Sequence, residues 1–176
     1  MSHLKFHGYL VILSTSEDPN PLNPAYRGVD CIPSYPTTYP EEEQAMEAYV
    51  FEDFKDERTG LIPNKAKALR LLRLFESSPR KFDLIYCTDA TAEPPAEDYS
   101  FLGFDIAGLG GDYWSIVGDF PVDRRVRSFL AHLNRWGLFD REAEAAEFLR
   151  RYRALKLPHH DIDFQVIKVH ARIGRS

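Results

Sequence analysis

Phe101-Leu102-Gly103-Phe104-Asp105-Ile106-Ala107 and Tyr113-Trp114-Ser115-Ile116-Val117 are two short apolar runs, separated by Gly108-Leu109-Gly110-Gly111. A link this short returns the second run beside the first, so the stretch predicts an antiparallel hairpin. The glycines are a turn and not a phosphate cradle, because no Lys-Ser or Lys-Thr follows them and no helix opens from them. Upstream, Phe82–Thr88 reads as a further strand, joined to the hairpin by a loop that holds Pro94 and Pro95. The three strands are expected to form a meander over 82–120.

Downstream, a pair of helices is expected at 123–136 and 140–156. In the first, Val126, Phe129, Leu130, Leu133 and Trp136 keep the i, i+3, i+4, i+7 spacing of one helical face. Gly137 stands where a left-handed C′ residue belongs, with Leu138 placed to fold back on Leu133. Asp140 is the expected cap of the second helix, whose apolar face is Ala145, Phe148, Leu149, Tyr152 and Leu155. Ile162–Ile173 closes the chain as a strand. Its apolar residues shift from even positions (162, 164, 166) to odd ones (167, 169, 171, 173), which predicts a bulge near 166–167 or burial on both faces.

In the first half, Leu4–Leu13 reads as a strand, and Asn64 caps a helix over 64–77 with Ala68, Leu69, Leu71, Leu72 and Phe75 on one arc. Six prolines between Pro19 and Pro40, with Tyr26, Tyr35 and Tyr39 among them, indicate an ordered loop over 19–40. Residues 41–57 carry eight acidic side chains against Lys55, and either a helix begun at Pro40 or a strand at Tyr49-Val50-Phe51 fits them. The expected fold is α+β. A mainly antiparallel sheet, with strands near 4–13, 82–88, 101–107, 113–117 and 162–173, is packed by helices near 64–77, 123–136 and 140–156 in one domain spanning 1–176.

The net charge of −5 argues against nucleic acid, which needs clustered Lys and Arg, and suits a basic partner. No apolar run is long enough to cross a bilayer, Met1–His7 has no signal-peptide pattern, and Cys31 and Cys87 are too few for a disulfide framework. A cytoplasmic protein with reduced thiols is expected. No residue pattern points to a cofactor or a metal. His159-His160-Asp161 reads as a turn, since neighbouring histidines on an extended chain point apart. Cys87 reads as a buried thiol whose only bases would be distant histidines such as His132 or His170.

Two readings of function compete with a plain ligand-binding protein. Asp83, Asp105, Asp112 and Asp119 all fall in or near the meander, and if Asp105, flanked by Phe104 and Ile106, shares a face with Asp119, the two carboxylates could hold a divalent metal or act as acid and base in a small hydrolase. The acidic stretch, with Tyr49, Phe51 and Phe54 set among its charges, has instead the make-up of a protein interface. The second reading predicts partner contacts at Glu47, Tyr49, Phe51, Glu52, Asp53 and Asp105 and assigns no catalytic residue.

At Phe101-Leu102-Gly103-Phe104-Asp105-Ile106 and Leu133-Asn134-Arg135-Trp136-Gly137-Leu138-Phe139 the chain resembles small bacterial proteins of toxin-immunity type. In those, a strand of "LGxD" pattern precedes a helix ending at Gly-Leu-Phe, a second helix and a closing strand. The resemblance covers roughly residues 101–170. It implies a non-catalytic protein that binds and neutralises a cognate toxin, and it carries over no catalytic residues.

Overall fold

In the computed structural model, which describes residues 6–13, 40, 42, 43, 45, 47, 54–79, 81–92, 99–110, 113–157 and 162–172, five strands form one antiparallel, curled sheet. They are β1 (His7–Leu13), β2 (Phe82–Asp89), β3 (Tyr99–Leu109), β4 (Tyr113–Ser115) and β5 (Phe164–Arg172). Helix α1 (Lys65–Leu74) precedes β2, one helical turn α2 (Ile116–Asp119) follows β4, a 3-10 helix covers Arg127–His132, and α3 (Glu142–Ala154) leads into β5. The fold is α+β with an antiparallel sheet.

The strand order is β1-β2-β5-β3-β4. The hairpin forms as its short link requires, with Leu109 opposite Tyr113 and Ala107 opposite Ser115. The expected meander is corrected, because β5 lies between β2 and β3. Its apolar residues on both phases suit it to a central position. Ile167 and Val169 are buried on one face, Phe164 and His170 on the other. The loop from β2 to β3 has the length to step over a strand, unlike the glycine turn after β3.

Of the two readings of the phase shift near 166–167, β5 shows burial on both faces, and the bulge of this ladder lies across it, in β3. Phe101 pairs with His170 and Gly103 with Val169, so Leu102 is the extra residue. Gly103 sits at φ 149°, and a Cβ there would meet Leu138 Cβ at 2.8 Å and the Phe139 carbonyl oxygen at 2.9 Å. Only glycine lets the 138–139 segment close onto the bulge.

Residues 123–136 are the second correction. No α-helix forms there. Backbone bonds run from Val126 to Asp123, from Phe129 to Val126 and from Leu133 to Leu130, all in the i to i+3 pattern of a 3-10 helix. The Asp123 carboxylate competes for the start by accepting from the Arg125 backbone N–H at 2.9 Å. Asn134 ends it, its Oδ1 accepting from Trp136 N (2.9 Å) and Leu138 N (3.2 Å), its Nδ2 donating to the Leu102 carbonyl and Asp140, each at 2.8 Å. Val126, Phe129, Leu130 and Leu133 still face the core, since their i+3 steps line up in either helix. Gly137 has the expected left-handed backbone, φ 73°, but in this Asn134 loop and not at a helix end. Asp140 is drawn to Asn134, so Arg141 is the N-cap of α3 and makes no side-chain cap bond.

Both long helices lie on the same face of the sheet. Ala68 and Leu71 of α1 pack with Val11 and Leu84, on β1 and β2. Ala145, Phe148, Leu149 and Tyr152 of α3 pack with Phe104, Ile106 and Phe164, on β3 and β5. Asn64 caps α1 as expected, accepting from Ala66 N (2.8 Å) and Lys67 N (3.3 Å). The opposite face buries Leu10, Ile85, Cys87, Ala107, Ile167 and Val169 against Leu61, Tyr113 and Leu138. Pro40, Glu42, Glu43, Ala45 and Glu47 are helical, which favours the helix of the two readings at the start of the acidic stretch.

Candidate functional site

Asp105 lies in β3 on the face turned away from α1 and α3, and it is 1% exposed. Its Oδ2 accepts from the Tyr113 hydroxyl at 2.6 Å, and its Oδ1 from the Ser115 hydroxyl at 2.9 Å and the Ile106 backbone N–H at 2.7 Å. Ser115 in turn caps α2 through the Gly118 N–H at 3.2 Å. Burial pushes the Asp105 carboxyl up, and the three donors oppose that shift. The arrangement joins β3, β4 and the first turn after them. Asp105 is a buried anchor, with its carboxylate turned to these donors and closed off from solvent.

Cys87 is a free, buried thiol on the same face as Asp105, and burial pushes it well above the ordinary thiol range. His170 lies on the other face, since Tyr86 and not Cys87 is its partner across the β2–β5 ladder. The sheet therefore stands between thiol and imidazole. Among the described residues there is also no group of three or more metal-ligating side chains, and no helix long and apolar enough to cross a membrane.

The face beneath the helices carries a feature that no linear pattern in the sequence announces. Tyr9 pairs with Tyr86, Tyr86 with His170 and His170 with Phe101, so one row of rings crosses β1, β2, β5 and β3. Ring centroids are 5.0, 6.3 and 5.5 Å apart along it. Tyr99 braces the row from β3, 5.7 Å from Tyr86 and 6.3 Å from Tyr9, with the Lys65 ammonium 5.4 Å from its own ring centre. The adjacent row is His7, Thr88, Lys168 and Phe104. Lys168 Nζ donates to the Ala92 carbonyl at 3.0 Å. Burial lowers the His170 pKa and raises those of Tyr9 and Tyr86.

Charge is sorted between the two faces. Among the described strand residues, Asp83, Asp89 and Asp105 share the face away from the helices, while His7, Lys168, His170 and Arg172 share the face beneath them. The alternation of a strand makes this sorting visible only once register and pairing are known.

Among the described residues, three large apolar side chains are exposed: Phe101 (48%), Trp114 (36%) and Trp136 (37%). Trp136 sits under the Arg135 guanidinium at 4.7 Å, in the loop that Asn134 ties to the β3 bulge. Strand β3 carries Phe101, and the Asn134 loop carries Trp136.

Of the partner contacts expected from sequence, Glu47 is helical and exposed and Asp105 is buried. Tyr49, Phe51, Glu52 and Asp53 lie outside the described residues, as do His159-His160-Asp161, Asp112, Cys31, the 19–39 part of the proline-tyrosine loop and the Asp119 side chain. Within the acidic stretch, Glu42 is buried and accepts from the Ser78 hydroxyl at 2.6 Å, so it serves packing. Asp56 closes a turn by accepting from Arg58 N and Thr59 N, each at 3.0 Å. No family model, curated protein or solved structure matches the chain.

Proposed function

We propose that this protein is a non-catalytic binding module for another protein, an immunity-type protein of the cytoplasm that neutralises a cognate toxin by occupying it. The observation that carries the reading is the exposure of Phe101, Trp114 and Trp136. Aromatic side chains that keep a third or more of their surface in water are what protein interfaces bury as anchors. The stacked Arg135 beside Trp136 adds the other residue type favoured there. Glu47, Tyr49, Phe51, Glu52 and Asp53 give the same molecule an acidic, aromatic segment suited to a basic contact.

The enclosure of Asp105 weighs against the carboxylate-enzyme alternative, and the raised Cys87 thiol is a poor nucleophile. Co-expression of the full chain with the product of the adjacent gene, followed by size-exclusion chromatography, tests the proposal. A stable complex weakened by Trp136→Ala or Phe101→Ala supports it. A monomer that meets no partner and turns over a small molecule sinks it.

A further inference from the structure

We infer that the sheet face between α1 and α3, where Tyr9, Tyr86, His170 and Phe101 lie in one row with Thr88 and Lys168 beside them, is a binding site for a small planar carboxylate, an aromatic acid. Three independent observations lead there. The floor is a cross-strand row of rings with centroids 5.0–6.3 Å apart and planes tilted 53–60° to one another, whose exposed member, Phe101, offers a ring for a flat aromatic group to pack on. Among the described strand residues, the fixed charges on this face have one sign. Lys168 and Arg172 lie on β5 with neutral His170 between them, His7 stands on β1, and α1 carries Lys65 and no acidic residue. Of the three α3 glutamates, Glu144 pairs with Arg141 and His132, Glu147 pairs with Arg150 and Arg151, and Glu142 is exposed at the first turn.

The third observation is the pair of polar atoms at the floor. The Thr88 hydroxyl and His170 Nδ1 are buried and meet no hydrogen-bond partner, in residues 0% and 2% exposed. Thr88 and His170 are diagonal neighbours across the β2–β5 ladder, on one face, with Lys168 opposite Thr88. A carboxylate has two oxygens and takes one hydrogen bond from each group, with Lys168 supplying the counter-charge. Its ring then lies toward Phe101, the exposed end of the row, which is also the side from which it enters. Neutral His170 suits this role, since in the Nδ1–H form it donates without adding a buried charge of its own.

The test uses the full chain labelled for NMR, with benzoate as probe, benzamide as its uncharged isostere and inorganic phosphate as the non-planar anion. Benzoate is expected to shift the His170 ring and Thr88 resonances at millimolar concentration and to move the His170 titration midpoint upward. Benzamide and phosphate are each expected to bind about tenfold more weakly or worse, the loss of one charge-assisted bond or of the stacked ring. Thr88→Val keeps the shape and removes a hydroxyl that has no partner, so this variant folds, and it is expected to lose benzoate about tenfold. Lys168→Met is expected to do the same. Absence of a His170 shift with benzoate overturns the inference, as does equal binding of benzamide or phosphate, or unchanged benzoate binding by Thr88→Val. The inference is independent of the protein-binding reading, which the co-expression experiment decides by itself.

Discussion

Replacing Asp105 by alanine removes the acceptor for three donors, the Tyr113 and Ser115 hydroxyls and the Ile106 N–H. A buried donor left without its acceptor costs about 1–3 kcal/mol. The sum is reduced, because the hydroxyls can turn elsewhere and because the variant no longer has to enclose a carboxylate whose pKa burial raises. A net loss of about 3 kcal/mol follows, a large share of the roughly 5–15 kcal/mol that holds a typical domain folded. For a chain of this length it corresponds to a fall in Tm of roughly 6–12 °C. Tyr113→Phe removes one bond to the carboxylate and is expected to cost about 2 kcal/mol. The double variant should cost less than the two together by about 1 kcal/mol or more, since both act on one network.

The assay is urea unfolding followed by near-UV circular dichroism, with all variants at one pH. The pH dependence supplies a sign as well. The folded-state pKa of Asp105 is raised, so its contribution is fully present below the unfolded value of 3.8 and is lost as pH rises through the folded value. The stability of wild type relative to Asp105→Asn should therefore decline with rising pH over that window. A loss below about 1 kcal/mol for Asp105→Ala, or full additivity with Tyr113→Phe, would refute the anchor reasoning.

Three further outcomes are expected. His170 has a lowered pKa, so its contribution to stability is present above 6.5 and declines as pH falls from there toward the folded value; His170→Phe should flatten that part of a Tm-versus-pH curve. Asn134→Ala removes four hydrogen bonds that join the 3-10 segment to the β3 bulge, and should cost about 2 kcal/mol with a shift of Trp136 fluorescence. Cys87 should resist a thiol reagent in the folded chain and react once urea exposes it, because the thiol is buried and its pKa is raised.

Some elements were legible before any contact was known, and they share a cause. The Asn64 cap, the hairpin at Gly108–Gly111 and the left-handed Gly137 each depend on residues within a few positions of one another. The 123–136 segment shows where that reading stops. Its i, i+3, i+4 spacing is common to an α-helix and a 3-10 helix, and the choice was made by Asn134 bonding to Leu102, thirty-two residues earlier. Asp105 draws notice in the sequence as a partner contact or a carboxylate-site residue, and the structure instead encloses it. Its surroundings, Tyr113 and Ser115, follow from the same hairpin register, yet the closure of that site against solvent depends on the whole sheet.

What the amino-acid order determines alone is therefore the class of fold and the two-sided apolar character of 162–172, which fits a strand to the middle of a sheet. Only the tertiary structure decides that this strand enters between β2 and β3. That single placement aligns Tyr9, Tyr86, His170 and Phe101 in one row and sorts the basic strand residues from the acidic ones. The physical reason is that a strand alternates its side chains with a period of two. Each residue's face is set locally, but its neighbours on that face come from pairing with strands roughly 70 to 85 positions away, and local periodicity holds no record of which strand or which register that will be.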